Sequence, residues 1–245
     1  MARATVVFLP GLLCDHTVWE QQIAVLSQGH DCLVADYGSA DSLTAMATSV
    51  LESAPETFSL AGHSMGGRVA LEVMRMAPQR VSRLALLDTG YEARPEGEAG
   101  EPEACKRYRL LDIALSQGMR AMGREWIQGM VHPERLQDAP LMESILAMIE
   151  RKTPGIFAAQ IRALLRRPAA EAVLRAIACP TLVLCGRQDS WSPLARHELM
   201  TAMIPGARLM AVEDSGHMVS LERPEAVTTA LHGWLTLAGA PRTRE

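Results

Sequence analysis

Ser64 stands at the centre of Gly62-His63-Ser64-Met65-Gly66, directly after the apolar run Thr57-Phe58-Ser59-Leu60-Ala61 and directly before a helix-patterned segment. A serine hydroxyl is a weak nucleophile and needs an adjacent base to take its proton. A tight strand-to-helix turn projects such a hydroxyl to where an imidazole can reach it. Glycine suits positions 62 and 66 because strand and helix approach closely there, leaving no room for a side chain. Two further segments supply the missing groups. Asp189 follows the apolar run Pro180-Thr181-Leu182-Val183-Leu184-Cys185 through Gly186-Arg187-Gln188. His217 ends Asp214-Ser215-Gly216-His217, after Arg208-Leu209-Met210-Ala211-Val212. In acyl transfer, His217 would take the Ser64 proton and return it to the leaving group, while Asp189 would hold the imidazole in the right tautomer. Asp88 and Asp36 also fall at strand ends and compete for the acid's place; the loop of Asp189 and its spacing to His217 match the commoner arrangement.

Positioning these groups requires alternating strands and helices. Strands are expected over 4–9, 31–36, 57–62, 82–88, 180–185 and 207–212, and helices over 17–28, 42–53, 65–77, 193–203 and 224–238. That alternation predicts a parallel sheet, whose ligands bind beyond the carboxyl ends of the strands. Leu12, Ser64, Asp189 and His217 all fall at such ends. Between Asp88 and Pro180 the alternation stops. Residues 91–103, rich in Glu, Pro and Gly, read as a hinge, and about 104–177 carries a helical pattern punctuated by Pro133, Pro140, Pro154 and Pro168. The expected division is a core of 1–90 and 178–245 with a helical cap of 91–177 that excludes water from the site. Leu13, Trp126, Met130, Met148, Phe157 and Trp191 are the residues expected to touch substrate, the methionines because they adapt to apolar groups of variable shape.

Ser, then Asp, then His is the chain order of the α/β-hydrolase fold. With Pro10-Gly11-Leu12-Leu13, Gly62-His63-Ser64-Met65-Gly66-Gly67, Gly186-Arg187-Gln188-Asp189 and Gly216-His217, the chain resembles that superfamily over nearly its whole length. Within it the resemblance is to small bacterial capped esterases and lactonases. It implies an α/β fold with a mostly parallel sheet, helices on both faces and an inserted helical cap, and a hydrolase that uses no cofactor. The sequence departs from the family pattern at Pro10-Gly11, where many relatives carry His-Gly. An oxyanion hole would be built from backbone N–H groups, that of Met65 and one in the Leu12-Leu13 turn, with Leu12 preferred.

Composition sets the outer bounds. A chain of 245 residues with net charge −4 accommodates one α/β domain with an insertion and offers no electrostatic footprint for nucleic acid. No apolar stretch is long enough to span a bilayer, and the first strand follows Met1-Ala2-Arg3 without room for a secretory signal. Five cysteines (14, 32, 105, 179 and 185) without metal-like spacing read as reduced thiols in the cytoplasm. The scattered histidines predict no metal site. The expected function is hydrolysis of a small, mainly apolar ester or lactone. A thioesterase or methyl esterase on carrier-bound acyl groups, a carbon–carbon bond hydrolase, and a ligand-binding receptor on the same fold are the alternatives. Lys106, Arg107, Arg109, Arg120 and Arg124 read either as solvated helix faces or as a docking patch for acyl carrier protein or coenzyme A.

Overall fold

The computed structural model describes residues 3–236. The chain runs β1 (Thr5–Leu9), α1 (Glu20–Leu26), β2 (Asp31–Val34), α2 (Leu43–Ser53), β3 (Phe58–His63), α3 (Met65–Met76) and β4 (Val81–Leu87). Five helices follow: α4 (Glu101–Gln117), α5 (Met119–Ile127), α6 (Ala139–Glu150), α7 (Pro154–Leu165) and α8 (Glu171–Ala176). The alternation then resumes with β5 (Thr181–Gly186), α9 (Leu194–Met203), β6 (Arg208–Val212), α10 (Val219–Glu222) and α11 (Pro224–Thr236). The last two positions of the helix expected over 224–238 lie outside the described residues.

All strand pairs are parallel, in the order β2-β1-β3-β4-β5-β6. Every residue of β3 and β5 is buried, as their unbroken apolar runs require when helices cover both faces of a parallel sheet. Helices α1, α10 and α11 pack on one another, and α2, α3, α8 and α9 form a second connected layer. The edge strand β2 alternates exposed and half-buried positions. Because the chain moves from β1 outward to β2 and then back across to β3, a topological switch point lies between β1 and β3, where an open α/β sheet places its crevice.

Two sequence-based boundaries shift for local reasons. The helix expected over 17–28 divides into a 3-10 turn at His16–Trp19, started by the Asp15 side chain accepting from the Thr17 N–H (2.9 Å), and α1. The segment 91–103, expected as a hinge, contains a 3-10 turn at Gly97–Gly100 and the first three residues of α4, with Pro102 in the first turn, where its missing N–H costs nothing. Among the described residues no helix is long and apolar enough to cross a membrane.

Candidate active site

The strand β3 delivers Ser64 into a left-handed conformation (φ 54°, ψ −116°) at the head of α3. Such a φ is costly for a residue with a side chain and persists only where its surroundings fix it. They do so here. The Ser64 N–H donates to the Leu87 carbonyl (2.8 Å), and its carbonyl accepts from the Thr89 hydroxyl (2.7 Å). A Cβ at Gly62 would lie 2.5 Å from the Gly66 carbonyl oxygen, and one at Gly66 would lie 2.1 Å from that of Leu9. The turn is therefore closed to anything but glycine at both places.

Ser64 Oγ lies 2.7 Å from His217 Nε2, and His217 Nδ1 lies 2.7 Å from Asp189 Oδ2. With Nδ1–H directed at the carboxylate, the Nε2 lone pair faces the serine hydroxyl. The other carboxylate oxygen, Asp189 Oδ1, accepts from the N–H groups of Trp191 (2.8 Å) and Ser192 (2.9 Å). Burial pushes the Asp189 carboxyl up, but the adjacent His217 and these two N–H donors outweigh it and hold it below the usual carboxylate value.

Asp88 does not touch His217. Its carboxyl is fully buried and accepts from the N–H groups of Gly186 (2.9 Å) and Val219 (3.2 Å). Burial, reinforced by the charge of Asp189, raises it well above the carboxylate range. It braces the ends of β4 and β5 against α10. Asp36 is exposed and serves its own turn, accepting from the Gly38 N–H.

Several groups outside the triad hold the histidine loop. His63 Nε2 donates to the His217 carbonyl oxygen (2.7 Å), and the His217 N–H donates to the Met130 carbonyl (2.8 Å). A Cβ at Gly216 would lie 2.7 Å from the Val131 carbonyl carbon, which explains the glycine before the histidine. The buried Glu222 carboxylate accepts from the N–H groups of His132 (2.7 Å), Gly216 (2.9 Å) and Met218 (3.2 Å). Nothing in the sequence marks Glu222, since a glutamate at the end of a short helix usually faces water. Replacing it by glutamine sets an amide N–H₂ against one of these N–H donors. Glu222→Gln is expected to cost about 1–3 kcal/mol of stability in denaturant unfolding and to lower kcat. Unchanged stability and turnover would discard this positioning role.

In the Leu12-Leu13 turn, Leu13 has φ 60° and its N–H donates to Gln160 Oε1 of α7 (2.8 Å). The Leu12 N–H has no acceptor among the described residues, and Met65 opens α3, where a helix leaves its N–H groups without internal partners. Cys14, close by, is an inert thiol, pushed up to about 12 by burial.

The cavity above Ser64, about 370 Å³, is lined by Leu12, Met65, Met130, Trp191 and His217 together with a group of charged side chains. Trp126 instead lines an adjoining cavity of about 620 Å³, which shares Lys106, Gly129 and Trp191 with the first. Leu13, Met148 and Phe157 line neither; each is at most 1% exposed. The inserted helices bury these apolar side chains inside the fold, so they are core. The lining also carries charge that the sequence analysis did not place there: Arg68, Lys106, Arg107, Arg167 and Arg196 all face this cavity. The basic run on α4 and α5 is not a single free face either. Arg107 turns inward to Glu103, Arg109 pairs with Glu125, and Arg120 pairs with Glu143 and Glu150.

The sequence model of the alpha/beta hydrolase family matches residues 6–230, and the chain belongs to that family. It is 26% identical over 240 residues to a pimeloyl-(acyl-carrier protein) methyl ester esterase of Nitrosomonas europaea, covering 89% of this chain and 90% of the relative. A thermophilic esterase from Thermogutta terrifontis superposes with a TM-score of 0.82 at 28% identity, covering 96% of this chain and 90% of that one. The enol-lactonase of Burkholderia xenovorans shares the fold, with a TM-score of 0.84 at 20% identity over 97% of this chain and 93% of its own.

Proposed function

We propose that the protein is a carboxylic ester hydrolase working through a Ser64–His217–Asp189 triad. The observation that carries this reading is the pair of 2.7 Å contacts joining hydroxyl, imidazole and carboxylate at the rim of the sheet. Ser64 Oγ attacks the ester carbonyl as His217 Nε2 takes its proton. The N–H groups of Leu12 and Met65 receive the developing oxyanion. The engagement of the Leu13 N–H by Gln160 supports Leu12 as the second donor. His217 then protonates the departing alcohol, leaving an acyl-serine. Water, deprotonated by the same nitrogen, attacks the acyl carbon and releases the acid, and the proton returns to Ser64. Asp189, held ionised, stabilises the imidazolium in both halves. Helices α4 to α8 act as the cap, and Met130 and Trp191 bring its edge and the Asp189 loop against the substrate.

A carrier-bound acyl ester is the second reading, favoured by the methyl ester esterase relative; the pairing of Arg109 and Arg120 with glutamates weakens the surface patch that would serve it. The test is a fluorophosphonate probe combined with p-nitrophenyl butyrate hydrolysis. Covalent label on the peptide bearing Ser64, with loss of turnover in proportion, is the expected result. A folded protein that binds esters yet is neither labelled nor active would be a receptor.

A further inference from the structure

The charges around Ser64 do not balance. Among the described residues, Glu103 accepts from Arg107 (2.9 Å) and from both terminal nitrogens of Arg167 (2.7 and 2.8 Å), and Glu92 accepts from Arg196 (3.1 Å). Glu103 is so strongly claimed that, although burial pushes it up, its two arginines hold it down to about 2. Those two carboxylates serve three arginines. Among the described residues, Arg68 and Lys106 have no carboxylate oxygen within 4.0 Å. Arg68 donates to the Glu92 backbone carbonyl (2.9 Å), and Lys106 Nζ sits 4.1 Å from the centre of the Trp191 ring. Both oxygens of Asp88 are engaged by the N–H groups of Gly186 and Val219, and its carboxyl forms no contact with any of these cations.

A cationic surplus inside a half-enclosed cavity is unfavourable unless something negative enters it. Burial first, and then the repulsion of Arg167, push the Arg68 guanidinium down to about 9. Arg167 and Arg107 are themselves only 10% and 11% exposed. None of these cations is explained by the triad, which needs no positive charge beyond its own imidazole. Their placement relative to the nucleophile is specific: Arg68 lies in the first turn of α3, four residues after Ser64 at the head of that helix, and both line the cavity.

Resting on the ester-hydrolase reading above, we propose that this cavity selects an ester that carries a second, ionised group, and that Arg68 is the residue that meets this anion. A guanidinium fork takes a carboxylate or a phosphate in the same bidentate way. Arg196 and Arg167 flank it, and Lys106 guards the passage to the adjoining cavity beside Trp191. The substrate class is then a half-ester: one acyl carbon over Ser64 and an anion a short chain away. An anion docked there also neutralises the surplus on binding, so substrate is drawn in electrostatically and salt should weaken it.

The experiment compares p-nitrophenyl hydrogen glutarate with p-nitrophenyl methyl glutarate, a pair that differs only in the ionised end. The wild-type protein should show kcat/KM at least tenfold higher for the charged ester, through KM, with the advantage shrinking between 0.05 and 0.5 M NaCl. Arg68→Gln should cut the charged-to-neutral ratio about tenfold, and Arg68→Lys should restore part of it. The wild-type ratio needs no variant, so a misfolded Arg68→Gln protein would not remove the test. Glutarate and inorganic phosphate, each added as an inhibitor, identify which anion the fork holds: competitive inhibition by either supports selection. Equal cleavage of both esters overturns anion selection and leaves the hydrolase reading standing. Cleavage of neither overturns both.

Discussion

Ser64→Ala should lower ester turnover by about a million-fold at most and by no less than several orders of magnitude, with folding intact. The alanine keeps the backbone that holds the elbow, since the Ser64 contacts to Leu87 and Thr89 use its N–H and carbonyl. What disappears is the only hydroxyl bonded to His217 Nε2. The donors of Leu12 and Met65 and the cavity itself remain, so the residual rate should still exceed the uncatalysed reaction by about three to four powers of ten. Steady-state assay with p-nitrophenyl butyrate, alongside thermal unfolding, reads both halves of the expectation. Undiminished turnover in a folded variant would move the nucleophile elsewhere.

The second large effect separates two buried carboxyls, Asp189 and Asp88, that both stand at strand ends and compete for the acid's place. Asp189→Asn should lower kcat about ten-thousandfold, because an amide at Oδ2 disfavours the tautomer that offers Nε2 to Ser64. Asp88→Asn should leave kcat within about tenfold and instead cost roughly 1–3 kcal/mol of stability, since its amide cannot accept from both Gly186 and Val219. The two groups also affect stability in opposite senses as pH changes. Asp189 is held below its unfolded value, so its contribution is present at neutral pH and is lost as pH falls through the folded-state value. Asp88 is raised, so its contribution is complete in acid and fades as pH rises through its folded-state value. Equal loss of kcat in both variants would contradict the assignment of Asp189 as the acid.

The expected elbow at Ser64 and the expected strands over 57–62 and 180–185 correspond to real elements because their signals are local. An apolar run long enough for a strand, glycines where a Cβ would collide, and a helix pattern immediately afterwards each report their own surroundings. The cavity's charge was hidden for the opposite reason. Arg107, Arg167 and Arg196 sit at helix or loop positions where arginine ordinarily meets water, and only contacts with Glu103 and Glu92, made when separate elements pack, hold them at the cavity. Met148 and Phe157 have the same problem in reverse: an apolar residue in an inserted helix can face substrate or a neighbouring helix, and periodicity does not distinguish the two. Gln160 reaches the Leu13 N–H and Glu222 the His132 N–H across long stretches of chain, so no spacing rule could have found those contacts.

The meeting of residues 130–132 with the His217 loop constrains how the mouth can widen. Met130 accepts the His217 N–H, His132 shares Glu222 with Gly216, and Gly216 leaves no slack between the two backbones. That side of the insertion is therefore tied to the loop of His217, the proposed general base. On the proposed reading, a bulky ester is expected to enter from the opposite border, where Lys106 and Arg107 of α4 lie over Trp191, and loosening at 130–132 is expected to lower kcat.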